Sequence, residues 1–220
     1  MLFSELIEIL DPDPHPAALN MAIDEVLLRE ATQPTLRIYR WRETAVSFGY
    51  FGSFAEAESV AAGREIVRRW TGGGIVEHGE DLTYTLVVPR EHAFARHAAP
   101  ESYRLIHESI ARVAVGEGIN AQVLPAAADG KSSECFASPV QYDLVAGGAK
   151  IAGAAQRRTR WGLLHPGRIL VKLSSPILGT KLAEEFGGSV VQRLLTQTQR
   201  EAAEELASTK YGTSAWLKKR

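Results

Sequence analysis

Three consecutive glycines, in the segment RRWTGGGIVEH, constrain this chain more than any other feature. Gly72, Gly73 and Gly74 follow a predicted strand that carries two arginines, and a second predicted strand comes after them. Without Cβ atoms, such a loop brings its backbone close to a ligand and directs several N–H groups at a carboxylate, carbonyl or phosphate. The same residues also suit a tight turn between two strands. The loop lacks the GK[ST] of a Walker loop and the spacing of GxGxxG.

Composition places the chain among ordinary globular proteins. Of its 220 residues, 45% are hydrophobic and 23% are charged, which is typical of a protein with one substantial core. A single domain over residues 1–220 is therefore predicted. The net charge of −1 gives no general attraction to nucleic acid. Since the sequence has neither a signal peptide pattern nor the roughly 18 apolar residues that cross a bilayer, we expect no membrane partner.

Hydrophobic periodicity predicts an α+β fold with a large, mostly antiparallel sheet flanked by helices. Apolar residues recur at helical spacing over 16–31 and 101–117, and a short helix is expected over 54–62. The Glu/Gln/Leu/Ala/Arg composition of 176–220 predicts a helical C-terminal segment. A strand in GLLHPGRILVKL is expected to break at Pro166. Further strands are predicted from alternating and β-branched segments, namely LRIYRW, AVSFGY, EIVRRW, IVEH, DLTYTLVVP, AQVLP, VQYDLV and KIAGAAQRR, the last two joined by the turn AGGA.

Cys135 and Lys150 are the first candidates for chemistry. Cys135 is the single cysteine, so no disulfide forms within the chain and a reducing cytoplasm is the expected location. A lone cysteine is either a small buried hydrophobe or a nucleophile. Lys150 follows the AGGA turn, where it is either a solvated hairpin lysine or a cation that favours the Cys135 thiolate.

His78 and a run of arginines are the next candidates. His78 follows the glycine loop closely, where a histidine orients a neighbour, caps a core polar group or transfers protons. The other histidines named here lack the spacing of metal ligands, so no metal site is predicted: His15, His92, His97 and His107. Arg157, Arg158 and Arg160 form either a solvated stretch or a surface for an acidic partner protein.

Five segments together resemble the family that unites lipoate ligases, octanoyltransferases and biotin ligases. They are NMAIDEVLL, RIYRW with AVSFGYF, RRWTGGGIVEHGEDLTYTLVVP, ESYRLIHESI, and CFASPVQYDLVAGGAKIAGAAQRR with HPGRIL. The resemblance covers about residues 18–173, and its most specific parts are RRxTGGG followed by a histidine, and KIAGxAQ. It implies a fold like the catalytic domain of biotin and lipoate protein ligases.

Within that family, the cysteine in CF before YDL resembles the pattern of the cysteine-dependent octanoyltransferases. The resemblance implies that Cys135 is the acyl-thioester nucleophile and that Lys150 lowers the pKa of its thiol. Ligases generally carry a further small C-terminal domain, for which the residues after Pro176 leave little room. The substrate-binding residues implied are Arg69, Thr71, Gly72, Gly73, Gly74, His78, Gly153 and Ala154.

The implied reaction moves an octanoyl or lipoyl group from acyl carrier protein to a lysine of a lipoyl domain or of the glycine-cleavage H protein, without a cofactor. Backbone N–H groups near Gly153 and Ala154, or in the glycine loop, are both candidates for stabilising the oxyanion. Two departures from the family pattern bear on acyl-chain length or acceptor preference. Gly52 stands where relatives commonly have glutamine, and HPG stands where a histidine or glutamine and then HG are usual.

Three alternatives remain open on the sequence. The first is an ATP-dependent lipoate–protein ligase, which requires ATP and Mg and makes Cys135 incidental. The second moves octanoyl between lipoyl domains with the same cysteine chemistry. The third is a non-catalytic protein that binds lipoyl domains, against which the joint presence of Cys135, Lys150 and TGGG argues.

Overall fold

The structure, a computed structural model, describes residues 1–79, 81–125, 139–170 and 178–219. Its helices are α1 (Ala17–Glu30), α2 (Phe54–Ala61), α3 (Ala99–Gly116), α4 (Leu178–Phe186), α5 (Gln197–Leu206) and α6 (Ser214–Leu217). Its first six strands are β1 (Phe3–Leu10), β2 (Thr35–Tyr39), β3 (Ala45–Phe48), β4 (Glu65–Arg68), β5 (Ile75–His78) and β6 (Leu82–Pro89). The others are β7 (Ala121–Val123), β8 (Leu144–Ala146), β9 (Ala149–Ala154), β10 (Arg157–Arg158), β11 (Gly162–Ile169) and β12 (Gly187–Leu194).

The described strands form two sheets. The larger sheet has nine strands in the order β12-β1-β2-β6-β11-β9-β8-β7, with β10 paired to β11, and the smaller has the order β4-β3-β5. In the larger sheet β1 runs parallel to both β12 and β2, and the other pairs are antiparallel. The predicted α+β class and mostly antiparallel sheet are therefore confirmed.

Strand β6 runs through the middle of the large sheet and supplies both of its cores. Tyr84, Leu86 and Val88 join a buried cluster with residues of α3 and α4. Val87 joins a second cluster with α1 and α5. Because successive side chains of a strand point to opposite faces, one strand contributes to both layers. Each fully buried side chain of this kind contributes about 1.5–3 kcal/mol relative to exposure.

A buried ion-pair cluster fixes α1 against β2. Arg37 is fully buried and donates to Asp24 of α1 at 2.7 Å and to Asp11 at 2.8 Å. The Tyr39 hydroxyl donates to the second oxygen of Asp24 at 3.2 Å. Breaking a buried pair of this kind leaves an uncompensated charge and costs about 3–5 kcal/mol. Since Met21 of α1 and Tyr39 of β2 line the cavity described below, the cluster holds one wall of that cavity in place.

The prediction of a helical segment over 176–220 is wrong in part. α4 and α5 are helices, but Gly187–Leu194 forms β12, which pairs in parallel with β1. The β1 strand was not predicted either. Helix propensity differs by only a few tenths of a kcal/mol between most residues. The hydrogen-bonding edge that β1 presents therefore decides the conformation of VVQRLL.

Two strand predictions need smaller corrections. The strand in VQYDLV begins only at Leu144, because Tyr142 has a φ of 69° and belongs to a turn. The strand through Pro166 is not broken, since β11 is continuous from Gly162 to Ile169. Pairing of β11 with β9 ends at Gly167 and Ala154, so Pro166 lies just past the point where its missing N–H would be needed. The predicted continuation over 171–173 lies outside the described residues.

Candidate active site

The glycine loop connects β4 to β5 and approaches another backbone closely. Gly73 has a φ of 92°, a conformation that side chains with a Cβ rarely adopt. A Cβ on Gly49, in the AVSFGY segment, would lie 1.9 Å from the Gly73 carbonyl oxygen. Both positions therefore require glycine for the loop to lie where it does.

Arg69 binds the glycine loop from the inside. Its Nη2 donates to the carbonyl oxygens of Gly72 at 3.2 Å and Gly74 at 2.7 Å, and its Nη1 donates to Ser47 Oγ at 2.7 Å. Within the described part of the chain, the N–H groups of Gly72 and Gly73 meet no acceptor. The guanidinium thus holds the loop's carbonyls and leaves these two amides available to a ligand.

His78 is locked between aromatic and polar neighbours. It stacks on Trp41 with ring centroids 3.9 Å apart, and its two nitrogens lie 2.7 Å from Ser47 Oγ and 2.9 Å from Asp81 Oδ2. Burial lowers the pKa of His78, although the Asp81 carboxylate opposes this. Burial would raise the pKa of Asp81, but hydrogen bonding to His78 and the charge of Arg168 hold it at about 2. A neutral imidazole with both nitrogens hydrogen-bonded is suited to orienting a neighbour, which is one of the roles that the sequence left open, and the part of His78 in binding stays a prediction.

Lys150 is held by a buried carboxylate. Its Nζ lies 2.8 Å from Asp143 Oδ2, which also accepts the Val140 N–H at 2.7 Å. Asp143 Oδ1 accepts the Tyr103 hydroxyl at 2.6 Å, and the same hydroxyl accepts the Ala154 N–H at 2.9 Å. Burial and the Asp143 charge raise the pKa of Tyr103. A fully buried carboxylate with three partners fixes the position of the ammonium.

Gly153 leaves the space through which the Lys150 side chain passes. A Cβ on Gly153 would lie 2.4 Å from Lys150 Cε, 2.7 Å from its Nζ and 3.2 Å from Asp143 Oδ1. Contacts below 3.0 Å are incompatible with any side chain, so residue 153 must be glycine for this lysine geometry.

These groups surround a partly open cavity whose space, counted with the solvent at its mouth, is about 570 Å³. Three of the polar groups on its wall are cationic, those of Arg69, Lys150 and Arg168, and the neutral ones include Ser47 and Thr83. Much of the remaining wall is apolar or aromatic, from Met21, Tyr39, Trp41, Val76, Ala155 and Pro166. An apolar space with a few convergent cations suits a ligand with a hydrocarbon chain and a carbonyl or carboxylate head.

A wider groove of about 830 Å³ adjoins the cavity. Gly73, Ala154 and Ala155 line both spaces, so they meet at the glycine loop. The rest of the groove is lined by Gly72, Ala99, Pro100, Tyr103, Val140, Gln141, Tyr142 and Gln156. A ligand that extends from the cavity therefore has a second, more open place to lie.

The HPG segment contributes to the cavity wall. His165 is fully buried, with Nε2 3.0 Å from the Tyr84 hydroxyl and Nδ1 2.9 Å from Gln156 Nε2. Burial lowers its pKa well below the usual range, so the ring is neutral. A Cβ on Gly167 would lie 2.4 Å from the Tyr84 ring. Pro166 places a rigid ring at the cavity, which gives this departure from the family pattern a direct effect on cavity shape.

The structure brings most of the predicted residues to one place. Thr71 is buried, lines neither space, and its hydroxyl has no hydrogen-bond partner within the described ranges. Gly72 lines the groove. Cys135 lies in 126–138, outside the described residues, so its relation to Lys150 stays a prediction. The residues at the cavity are Arg69, Gly73, Gly74, His78, Lys150, Gly153 and Ala154.

Sequence reasoning missed Asp143, Tyr103 and Asp81. A signal for Asp143 was present, because an aspartate directly before the apolar pair Leu144–Val145 becomes buried and needs a partner. No pattern relates Tyr103, in a helix, to a strand end 40 residues away. Among the described residues, no group of three or more His, Cys, Asp or Glu is placed to hold a metal ion. No helix in the same ranges is long and apolar enough to span a bilayer.

Known proteins are similar to this chain in sequence and in fold. Residues 16–208 match the family described as the lipoyl protein ligase A/B catalytic domain. The chain is 35% identical over 178 residues to octanoyltransferase LipM of Oceanobacillus iheyensis, covering 77% of this chain and 65% of that protein. It is also 35% identical over 205 residues to octanoyltransferase LipM of Kyrpidia tusciae, covering 86% of this chain and 74% of that protein. The chain thus spans about two thirds to three quarters of the length of these relatives.

Two solved structures have the same fold. One is a protein of T. acidophilum with bound lipoic acid, with a TM-score of 0.78 and 22% identity, covering 96% of this chain and 98% of that chain. The other is lipoate-protein ligase A bound with ATP, with a TM-score of 0.76 and 23% identity, covering 99% and 98%. They confirm the expected lipoate-ligase-like fold. On its match to the family and to its relatives, this chain belongs to the lipoyl protein ligase A/B catalytic domain family.

Proposed function

We propose that this chain is an acyltransferase that moves an octanoyl group from acyl carrier protein to a lysine of a lipoyl domain or H protein, through a thioester on Cys135. The observation that carries the proposal is the Lys150–Asp143 pair at a largely apolar cavity lined by the glycine loop. Relatives named octanoyltransferase, at 33–37% identity, support this reaction.

The cavity is suited to the acyl chain. Met21, Trp41, Val76 and Pro166 provide apolar surface for methylenes, and each methylene removed from water contributes about 0.8 kcal/mol. The carbonyl then lies toward Lys150 and the glycine loop. A protein of the same fold holds lipoic acid, whose chain has a similar length.

In the first step the Cys135 thiolate attacks the donor thioester carbonyl, and the carrier's thiolate leaves. One thioester replaces another, so little free energy changes. An isolated thiol has a pKa of about 8.5, so a nearby cation is needed to populate the thiolate at neutral pH. Lys150 is proposed as that cation, because Asp143 fixes its position at the cavity.

In the second step the acceptor lysine amine attacks the enzyme thioester, and the Cys135 thiolate leaves as an amide forms. This step is downhill without ATP. The amine has an ordinary pKa of about 10.4 and must lose a proton before it attacks. A bound water accepts that proton, and the departing Cys135 thiolate takes the second proton, which the nitrogen releases as the amide forms.

The glycine loop is the proposed oxyanion site. Of the two regions that the sequence left open, the Ala154 N–H already donates to the Tyr103 hydroxyl at 2.9 Å. The Gly72 and Gly73 amides meet no acceptor among the described residues and line the groove where it joins the cavity. Amides that are already oriented stabilise a developing oxyanion without reorganisation.

The remaining parts of the proposal follow from the thioester. Thioester exchange and amide formation need no cofactor, and residues 1–220 are proposed to act as one catalytic domain. A free thiol nucleophile persists in reducing surroundings, so a cytoplasmic location is proposed. ATP and Mg belong to the ligase alternative alone.

Intact-mass measurement after mixing with octanoyl-acyl carrier protein, without ATP, tests this function. Wild type should gain one octanoyl mass that hydroxylamine removes, and Cys135→Ser should not gain that thioester. Lys150→Ala should fold but acylate far more slowly near neutral pH, recovering as the pH rises toward about 8.5. Full transfer by Cys135→Ala, with dependence on ATP and free lipoate or octanoate, would establish the ligase instead. Acylation only from an octanoylated lipoyl domain would establish the amidotransferase.

A further inference from the structure

One face of the molecule beside the groove carries a continuous set of aromatic rings. The Trp70 and Trp161 ring centroids are 6.1 Å apart, and those of Tyr50 and Trp216 are 5.7 Å apart. Phe51 contacts Tyr50 and is 89% exposed. The other four rings are partly buried. Aromatic side chains at a protein surface are enriched in protein interfaces, where they act as anchors.

Positive charges lie over these rings. The Arg157 guanidinium is 4.9 Å from the Tyr50 ring centre and 4.7 Å from that of Trp70. The Lys210 ammonium is 4.6 Å from the Trp70 ring centre and 4.4 Å from that of Trp216, which joins the two pairs of rings. The set is completed by Lys219 over Tyr50 at 4.7 Å and Arg160 over Trp161 at 4.3 Å. The five aromatic residues and these four cations are called the basic aromatic face.

The charge of this face is largely uncompensated. Glu25 pairs with Lys210. In the part of the chain that the structure describes, Arg157, Arg160 and Lys219 have no ion pair with a carboxylate within 4.0 Å. Ring contacts hold such cations without neutralising them. The face therefore attracts carboxylates from a partner.

The face is continuous with the groove. Arg157 donates to the Trp70 carbonyl at 2.9 Å. Both residues are also close in sequence to the groove lining. Arg157 directly follows Gln156, and Trp70 lies two residues before Gly72. Gln156 and Gly72 both line the groove. A protein docked on the face would thus lie beside the groove entrance and leave the groove itself open.

We infer that the basic aromatic face docks the acyl donor, through an acidic surface on the protein that carries the thioester. This inference rests on the proposed function and adds the donor's docking surface to it. An acceptor lysine reaches only about 6 Å from its backbone, so its protein must cover the groove. A donor protein whose thioester is attached to a longer prosthetic arm can dock beside the groove, and its arm then carries the acyl group along the groove to the cavity.

A double charge reversal tests the docking surface. Arg160 and Lys219 are exposed and line neither the cavity nor the groove, so Arg160→Glu with Lys219→Glu should leave the site intact. Binding of octanoyl-acyl carrier protein, measured by calorimetry at low salt, should weaken about tenfold or more, because like charges replace attraction. The difference should shrink near 1 M salt, where the Debye length is about 3 Å. Acylation by a small octanoyl thioester of N-acetylcysteamine should keep its wild-type rate.

The matched control reverses a charge far from the face. Arg193 is exposed on the edge strand β12, and Arg193→Glu should bind the carrier like wild type. Phe51→Ala removes an exposed anchor without threatening the fold, and should weaken carrier binding severalfold.

Three results would decide against parts of this scheme. Equal carrier binding by wild type and the double variant overturns the docking surface. Weakened binding of the lipoyl domain, with carrier binding unchanged, overturns the donor assignment because the face then serves the acceptor. Salt-sensitive carrier binding that the double variant loses, together with no thioester on wild type from either donor, keeps the docking surface and removes the proposed reaction.

Discussion

Replacing Gly153 by alanine should move the Lys150 side chain without unfolding the protein, so it tests the position of Lys150 separately from the stability of the fold. The backbone at 153 has an ordinary conformation, so alanine brings no backbone strain. Its Cβ would lie 2.4 Å from Lys150 Cε, whereas ordinary contacts begin at about 3.4 Å. The lysine must therefore move by about 1 Å, which is enough to lower a rate by about a hundredfold where a group acts through its position.

The flexible end of the lysine absorbs this clash, so the loss of stability should be small beside the loss of rate. Rapid-quench intact mass measures single-turnover acylation of Gly153→Ala by octanoyl-acyl carrier protein, and thermal unfolding followed by circular dichroism checks the fold. Gly116→Ala is the matched control, because nothing lies within 4 Å of a Cβ there. A folded Gly153→Ala protein that acylates at the wild-type rate would refute the role given to Lys150.

Three further predictions follow from the same site. Gly73→Val should bind no acyl ligand when binding is measured by calorimetry. Its unfolding free energy should fall by about 1–3 kcal/mol, since valine is strained at a φ of 92°. Tight acyl binding by this variant would show that the loop is not part of the site. Tyr103→Phe leaves an oxygen of buried Asp143 and the Ala154 amide without their hydrogen bonds to the Tyr103 hydroxyl. It should therefore lower the unfolding free energy by about 1–3 kcal/mol and shift the pH profile of acylation. An unchanged pH profile would show that Tyr103 has only a structural role. The folded pKa of Asp81, about 2, lies below its ordinary value of 3.8. Its stabilising effect is therefore complete above about pH 4 and lost as the pH falls toward 2. Urea unfolding should show that the difference in unfolding free energy between wild type and Asp81→Asn shrinks as the pH falls from about 4 toward 2. A difference that does not change with pH would contradict the lowered pKa of Asp81.

Local patterns were enough for most of the elements. The helical spacing over 16–31 and 101–117 corresponds to α1 and α3, and the alternation in DLTYTLVVP corresponds to β6. Both patterns arise from the burial of one face of a helix or of alternate residues of a strand, so they are written in the sequence itself. The edge strand β12 and its neighbour β1 were missed because they pair with each other across almost the whole length of the chain.

The sequence by itself determined which residues belong together at the site. Gly73, Gly74, His78, Lys150 and Gly153 were all identified from their motifs, and the structure places them around one cavity, whereas Gly72 lines only the adjoining groove and Thr71 lines neither space. Glycine runs and motif spacing report backbone requirements that no other residue meets. The chemistry proposed for Cys135 also rests on the sequence alone.

Only the tertiary structure decided how these residues are held. Asp143 reaches Lys150 at 2.8 Å because the turn before β8 lies beside β9, and Tyr103 completes the cluster from α3. The Ala154 amide is occupied for the same reason. Such contacts join residues that are distant in sequence through side-chain geometry. The partners of a buried charge are the groups that the packing of helices and strands brings next to it, and a local sequence pattern does not contain that information.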